Sequence, residues 1–292
     1  MIQINSELPN CLLKENENLN DYDFVLYHLL IKDKQYRDYY MDLRKSNPFR
    51  KMILDNSAYE FFINGEALDI NDYLKTVWIL KPDYFILPDS LMDYNRTIEM
   101  VGEAILLLNS DNIYKNILNF SRPIAVAQGS TEKELLKCIK DYNKMDIENI
   151  CIPFHNKFFS DLGFKAEYDT FKYGNAYIKD IKESYRENFH KDIYYAMGRI
   201  VFMYKNRQFL EDNFKYIHML GSHCPLEKYA YKSISNIKSM DTGYPVKCAI
   251  AGYELLKEPC KPNIIIDNFL NDELSSEQKG LIIKNVKIFK NI

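Results

Sequence analysis

Five times along the chain an apolar stretch stops on a residue that can hydrogen-bond. Met52-Ile53-Leu54 ends at Asp55, Tyr84-Phe85-Ile86-Leu87-Pro88 at Asp89, Ile124-Ala125-Val126-Ala127 at Gln128-Gly129, Ile217-His218-Met219-Leu220 at Gly221, and Ile237-Lys238-Ser239-Met240 at Asp241. Short apolar runs of this kind suit buried strands, each delivering one polar group at its C-terminal end. Three carboxylates and an amide so placed can supply a nucleophile, a proton donor and acceptor, and hydrogen-bonding groups, which is the equipment of an enzyme. Taken singly, an aspartate ending a strand can equally cap the next helix. Gly129 and Gly221 can admit close backbone approach to a ligand or simply make turns.

Positioning these groups asks for strands and helices in alternation. Phe24-Val25-Leu26-Tyr27 reads as the first strand, a charged helix runs from about Lys32 to Arg44, and the stretch before Asp55 is the second strand. Ile70, Tyr73, Leu74, Val77 and Trp78 recur at the spacing of one apolar helix face, so a helix joins the second strand to the third. Arg96 to Leu108 reads as the next helix, and Thr131 with Glu134 makes a capping box opening a helix through Leu135, Leu136, Ile139 and Tyr142. Ile150-Cys151-Ile152-Pro153-Phe154 is the fifth strand, Ile217–Leu220 the sixth and the run ending at Asp241 the seventh. Pro225 fits the first turn of a helix, and Asn263-Ile264-Ile265-Ile266-Asp267 can supply the eighth strand. The expected fold is an α/β (β/α)8 TIM barrel in one domain, residues 1–292, whose C-terminal strand ends converge on one mouth.

The rhythm breaks once, in a helical insertion of about residues 156–210 between strands 5 and 6. Residues 156–207 hold ten Lys/Arg, among them Lys179, Lys182, Arg186, Lys191 and Arg199, against seven Asp/Glu, with tyrosines interleaved. This mixture suits phosphates tracked by cations while bases stack on rings. It equally suits a solvated helical insertion with a small core of its own.

Composition limits the alternatives. A hydrophobic fraction of 47% over 292 residues is ample for the core of one barrel. No apolar run reaches the roughly 18 residues needed to span a bilayer, and the N-terminus lacks a basic segment followed by an apolar one. A cytoplasmic protein with no membrane partner is therefore expected. The six cysteines (Cys11, Cys138, Cys151, Cys224, Cys248, Cys260) contain no CxxC pair and read as reduced thiols. A net charge of −3 does not advertise a nucleic-acid binder, although it can hide a local basic patch. His218, His223 and Cys224 could hold zinc, but lone His and Cys residues more often pack than ligate, and no metal is expected.

In their order, these motifs resemble the tRNA-guanine transglycosylase superfamily over roughly residues 20 to 270. Asp55-Asn56-Ser57-Ala58-Tyr59-Glu60 is similar to its Asp-Ser-Gly-Gly-Phe-Gln segment, Pro88-Asp89 to its base-reading aspartate, and Ala127-Gln128-Gly129 to its Val-Gln-Gly. Leu220-Gly221 is similar to its later glycine, and Ser239-Met240-Asp241-Thr242 to its nucleophile segment. The wording Leu87-Pro88-Asp89, Gly221-Ser222-His223-Cys224-Pro225 and Ser239-Met240-Asp241-Thr242-Gly243 looks closest to the DpdA-type DNA 7-deazaguanine transglycosylases of phages and bacterial islands. The tRNA enzymes carry a Cys-x-Cys-x-x-Cys and His zinc site that this chain lacks, which puts tRNA docking in doubt.

The resemblance implies a glycosyltransferase that exchanges guanine in DNA for a free 7-deazaguanine base, such as a cyano or amido derivative, without a cofactor. In a phage protein the location would be the host cytoplasm. Exchange at C1′ with retention requires two displacements, for which a carboxylate nucleophile is suited. The resemblance gives that role to Asp241 and the acid/base role to Asp55. It gives base binding to Tyr59 by stacking, to Asp89 at the guanine N1–H and amine, and to Gln128, Gly129 and Gly221 at O6 and the 7-substituent. The alternatives are a tRNA-acting enzyme and a catalytically inert nucleic-acid-binding barrel. The presence of both Asp55 and Asp241 disfavours the second.

Overall fold

In a computed structural model, which describes residues 1–110, 113–154, 157–168, 192–255 and 274–291, the apolar runs form parallel strands joined by helices. They are β1 (Gln3–Ser6), β2 (Asp23–Leu26), β3 (Met52–Asp55), β4 (Tyr84–Ile86), β5 (Arg122–Val126), β6 (Asn149–Pro153), β7 (Tyr216–Leu220) and β8 (Ile237–Thr242). The sheet order β1-β8-β7-β6-β5-β4-β3-β2, all parallel, is that of a (β/α)8 TIM barrel. Among the described residues no helix is long and apolar enough to cross a membrane.

β1 is not among the strands expected from the sequence. Of its four residues only Ile4 is a buried apolar side chain, while Asn5 and Ser6 are buried polar ones. The strand holds because it lies parallel to β8, with Asn5 opposite Asp241, and because Asn20 serves as a surrogate backbone partner. Asn20 Oδ1 accepts from Ser6 N at 2.7 Å, and its Nδ2 donates to Ser6 O at 2.9 Å. The expected strand at Asn263–Asp267 lies outside the described residues.

The chain divides into two compact units. In Tyr22–Pro153 with Asn213–His218, the helices arise from the expected signals. Asp69 accepts from Asn71 N and Asp72 N at the head of Ile70–Leu80, whose Tyr73, Leu74, Val77 and Leu80 are buried. Thr131 accepts from Glu134 N to open Glu132–Lys144, and the Glu134 carboxylate turns back over the helix start, accepting from Ser130 N and Oγ as well as from the Thr131 backbone. At the N-terminal strand ends, the Lys51 ammonium donates to Tyr216 Oη at 2.6 Å and lies over the Tyr216 and Tyr84 rings.

The other unit comprises Met1–Asp21, Phe154–Asp212 and Met219–Ile292. Here the insertion contributes helices Lys157–Tyr168 and Asp192–Lys205, with a core including Phe158, Phe159 and Phe202. Gly163 and Gly198 permit the contact: a Cβ on Gly198 would collide with the carbonyl of Phe159, and one on Gly163 with that of Tyr194. Lys179, Lys182, Arg186 and Lys191 lie outside the described residues. Cys11, Cys138, Cys151 and Cys224 carry thiols outside any disulfide, as expected, whereas Cys248 is engaged in a disulfide.

Candidate active site

In the first unit the polar groups sit where β3, β4 and β5 end. Two buried tyrosines tie those ends down. Tyr73 Oη donates to Ile86 O at 2.7 Å and to Leu54 O at 3.2 Å, and Tyr142 Oη donates to Val126 O at 2.7 Å. Burial, followed by the Asp55 charge, pushes the Tyr73 phenol well above its ordinary range, so it remains a donor.

Asp89 is the best-defined group. Its Oδ1 accepts from Asn56 Nδ2 and its Oδ2 from Gln128 Nε2, both at 2.7 Å. Each amide is itself oriented: Asn56 Nδ2 also donates to Leu87 O and its Oδ1 accepts from Ala58 N, while Gln128 Oε1 accepts from Met92 N at 3.0 Å. One donor per oxygen leaves further acceptor capacity along the same carboxylate edge. Burial raises the Asp89 pKa to about 6, against the lowering effect of the two amide hydrogen bonds. The side chain is thus a preset, largely ionised acceptor at neutral pH.

Asp55, also buried, accepts from Ser57 N at 2.8 Å through Oδ2. Ser57 holds a left-handed conformation (φ 58°, ψ 34°) at the head of helix Ala58–Asn64. On that helix Tyr59 is half-exposed, beside exposed Phe62 and Ile63. Gly129 has a structural reason to be glycine, since a Cβ would lie 2.6 Å from Leu135 N in the following helix.

In the second unit Asp241, near the end of β8, is 2% exposed and accepts from Gly221 N at 2.9 Å through Oδ1. Gly221 has φ +65°, a conformation that favours glycine. Ser222 N donates to Asp241 O, and Thr242 Oγ1 donates to Ser222 O, so the Gly221-Ser222 turn and the end of β8 are laced together. This turn is fixed from behind by Arg199. Its Nη1 donates to Leu220 O at 2.8 Å, and its Nε and Nη2 bind both oxygens of Glu227, each at 2.8 Å. Ser222 Oγ and Tyr231 Oη complete the Glu227 shell. Burial opposes the Arg199 charge, yet Glu227, Tyr231 and Asp241 hold its pKa above the ordinary value.

Arg199 therefore corrects one expectation. Counted by composition among cations that track phosphates, it is wholly buried and paired, and removing one partner of such a pair costs about 3–5 kcal/mol. Of the expected site residues, Asp89 and Gln128 are in direct contact, as are Gly221 and Asp241. The sequence reading assigned no role to Asn56, Ser57, His28 or Glu227. Asn56 and Ser57, with Glu60, stand beside the expected site by their place after Asp55, without a role; His28 and Glu227 carry no comparable signal. His218 stacks on Phe24 and His223 on Phe154, and the described residues contain no group of three or more His, Cys, Asp or Glu suited to a metal ion. Comparison with protein-family models and with curated proteins gives no match to this chain.

Proposed function

We propose that this chain is a base-exchange transglycosylase that replaces guanine in DNA with a 7-deazaguanine base through a covalent aspartyl intermediate. The observation that carries the reading is the Asp89 carboxylate, clamped by Asn56 and Gln128 with acceptor capacity left on both oxygens. Guanine and 7-deazaguanines present the complementary edge, an N1–H beside an exocyclic N–H. Gln128 keeps one amide hydrogen for the purine O6, and Tyr59, half-exposed, stacks on the base face. Asp241 attacks C1′, with its Oδ1 steadied by Gly221 N–H, while Asp55 protonates the departing base and later deprotonates the incoming one. The motif order that resembles the DpdA-type enzymes favours DNA as the polymer.

The direct test is incorporation. Labelled guanine, and separately cyano- and amido-7-deazaguanine, should exchange into guanine-containing DNA, with the product identified by nucleoside mass spectrometry. Exchange into tRNA alone would move the substrate to RNA; exchange into neither would sink the reading.

The raised Asp89 pKa adds a pH signature. An acceptor pair must be ionised, so guanine affinity should be level above neutral pH and fall about tenfold per unit below pH 6. The folding contribution has the opposite sense. With a folded pKa above the ordinary 3.8, Asp89 contributes stability that is complete below about pH 4 and lost as pH rises through about 6, on the order of 3 kcal/mol. A donor pair from bound base offsets that loss. Equilibrium dialysis from pH 5 to 8 checks the binding limb, and an affinity independent of pH would remove Asp89 from base reading.

A further inference from the structure

The geometry points to His28 and Ser57 as positioning residues that hold the acid/base Asp55, an inference that rests on the transglycosylase reading. Ser57 is an uncommon choice for its place. A non-glycine residue in the left-handed region is strained, and Ser57 sits there at φ 58°. Serine at a helix start normally repays such costs by capping, yet the Ser57 side chain caps nothing in helix Ala58–Asn64. Its hydroxyl turns instead to His28, on helix Tyr27–Lys32 directly after β2. His28 N donates to Ser57 Oγ at 3.2 Å, and His28 Nδ1 lies 2.9 Å from the same oxygen. The hydroxyl has two lone pairs and one hydrogen, so it can accept from His28 N and bond Nδ1 in either direction, and the Glu60 carboxylate lies 3.9 Å from the same Nδ1.

Both residues are buried and the hydroxyl is engaged by His28, so it acts as a strut. What the strut holds is the amide of Ser57, which donates to Asp55 Oδ2 at 2.8 Å. His28 thereby fixes the turn, the turn fixes the N–H, and the N–H fixes which carboxylate oxygen remains for the proton transferred to and from the purine. A hydrogen bond to a charged group, once misplaced, is worth roughly 10- to 100-fold in rate.

Four variants test this: Ser57→Gly, Ser57→Ala, His28→Asn and His28→Leu. Ser57→Gly relieves the backbone and removes the strut; His28→Asn keeps a hydrogen-bonding group near the Nδ1 position, and His28→Leu does not. Exchange of guanine should fall roughly 10- to 100-fold in kcat for Ser57→Gly and His28→Leu, with KM little changed, while His28→Asn should retain most of the rate. The loss should shrink when the departing purine carries an electron-withdrawing substituent and needs less protonation. Amide hydrogen exchange at position 57 gives a readout free of activity: it should quicken in Ser57→Gly and His28→Leu by more than the change in global stability accounts for. Wild-type rates and amide protection in Ser57→Gly would overturn the strut. Equal losses with both leaving groups would reduce it to fold maintenance. If wild-type protein exchanges no base while the amide protection behaves as expected, the transglycosylase reading fails and the strut survives. Should His28→Leu not fold, Ser57→Gly and Ser57→Ala decide the matter, since each removes little more than the hydroxyl.

Discussion

Replacing Asp241 by Asn should abolish base exchange and leave the protein folded. The proposed chemistry needs a carboxylate oxygen to form an ester with C1′, and an amide cannot do so. Removal of a nucleophile acting in concert with other groups typically costs at least about 10⁴-fold. The surroundings, in contrast, can accept the change. Asn keeps an oxygen to receive the Gly221 N–H that now binds Oδ1 at 2.9 Å, and the Ser222 and Thr242 bonds that lace this turn involve no side-chain atom of residue 241. The loss is one buried negative charge near Arg199, whose principal partner is Glu227. Tm should therefore move by no more than about 4 °C. The wild-type protein, denatured during turnover on labelled oligonucleotide, should carry the label covalently, and Asp241→Asn should not. Normal turnover by the variant would remove Asp241 from the mechanism.

The parts of the fold that were legible in the sequence share a physical cause. Parallel strands covered by helices are apolar on both faces, so β3, β5 and β7 read as continuous runs, and the residue that breaks each run marks the strand end. Capping residues are read the same way: Asp69 and Thr131 act within a few residues of themselves. β1 was not legible because its polar side chains are buried and its backbone is satisfied by Asn20, 14 residues away from Ser6. The same holds at the candidate site. The residues at strand ends announced themselves, but Asn56 meets Asp89 across 33 positions, Ser57 meets His28 across 29, and Arg199 meets Glu227 across 28. Composition also cannot tell a solvated arginine from one that is buried and paired. That is why Arg199 was counted with the cations of the insertion when it in fact braces the turn beside Asp241.

Asp55 is where the chemical and the structural readings of an aspartate at a strand end can be separated. Its carboxylate already has a structural task, accepting from Ser57 N at the left-handed turn, and a capping or turn-holding aspartate would look the same. Asp55→Ala removes that acceptor along with any catalytic proton. It should destabilise the protein by about 1–3 kcal/mol for the buried amide left without it, and slow both half-reactions by roughly 10²–10⁴-fold. Asp55→Asn keeps an oxygen for the Ser57 amide but has no carboxyl proton to give. If Asp55 is the acid/base, Asn should restore the stability and not the rate, and the deficit should appear both in release of guanine and in uptake of the 7-deazapurine, because one group serves both steps. Single-turnover measurements of each half-reaction, with thermal unfolding alongside, decide between the readings. An Asn variant that regains stability and rate together would make Asp55 a turn-holder, and the proton would then have to come from another group or from water.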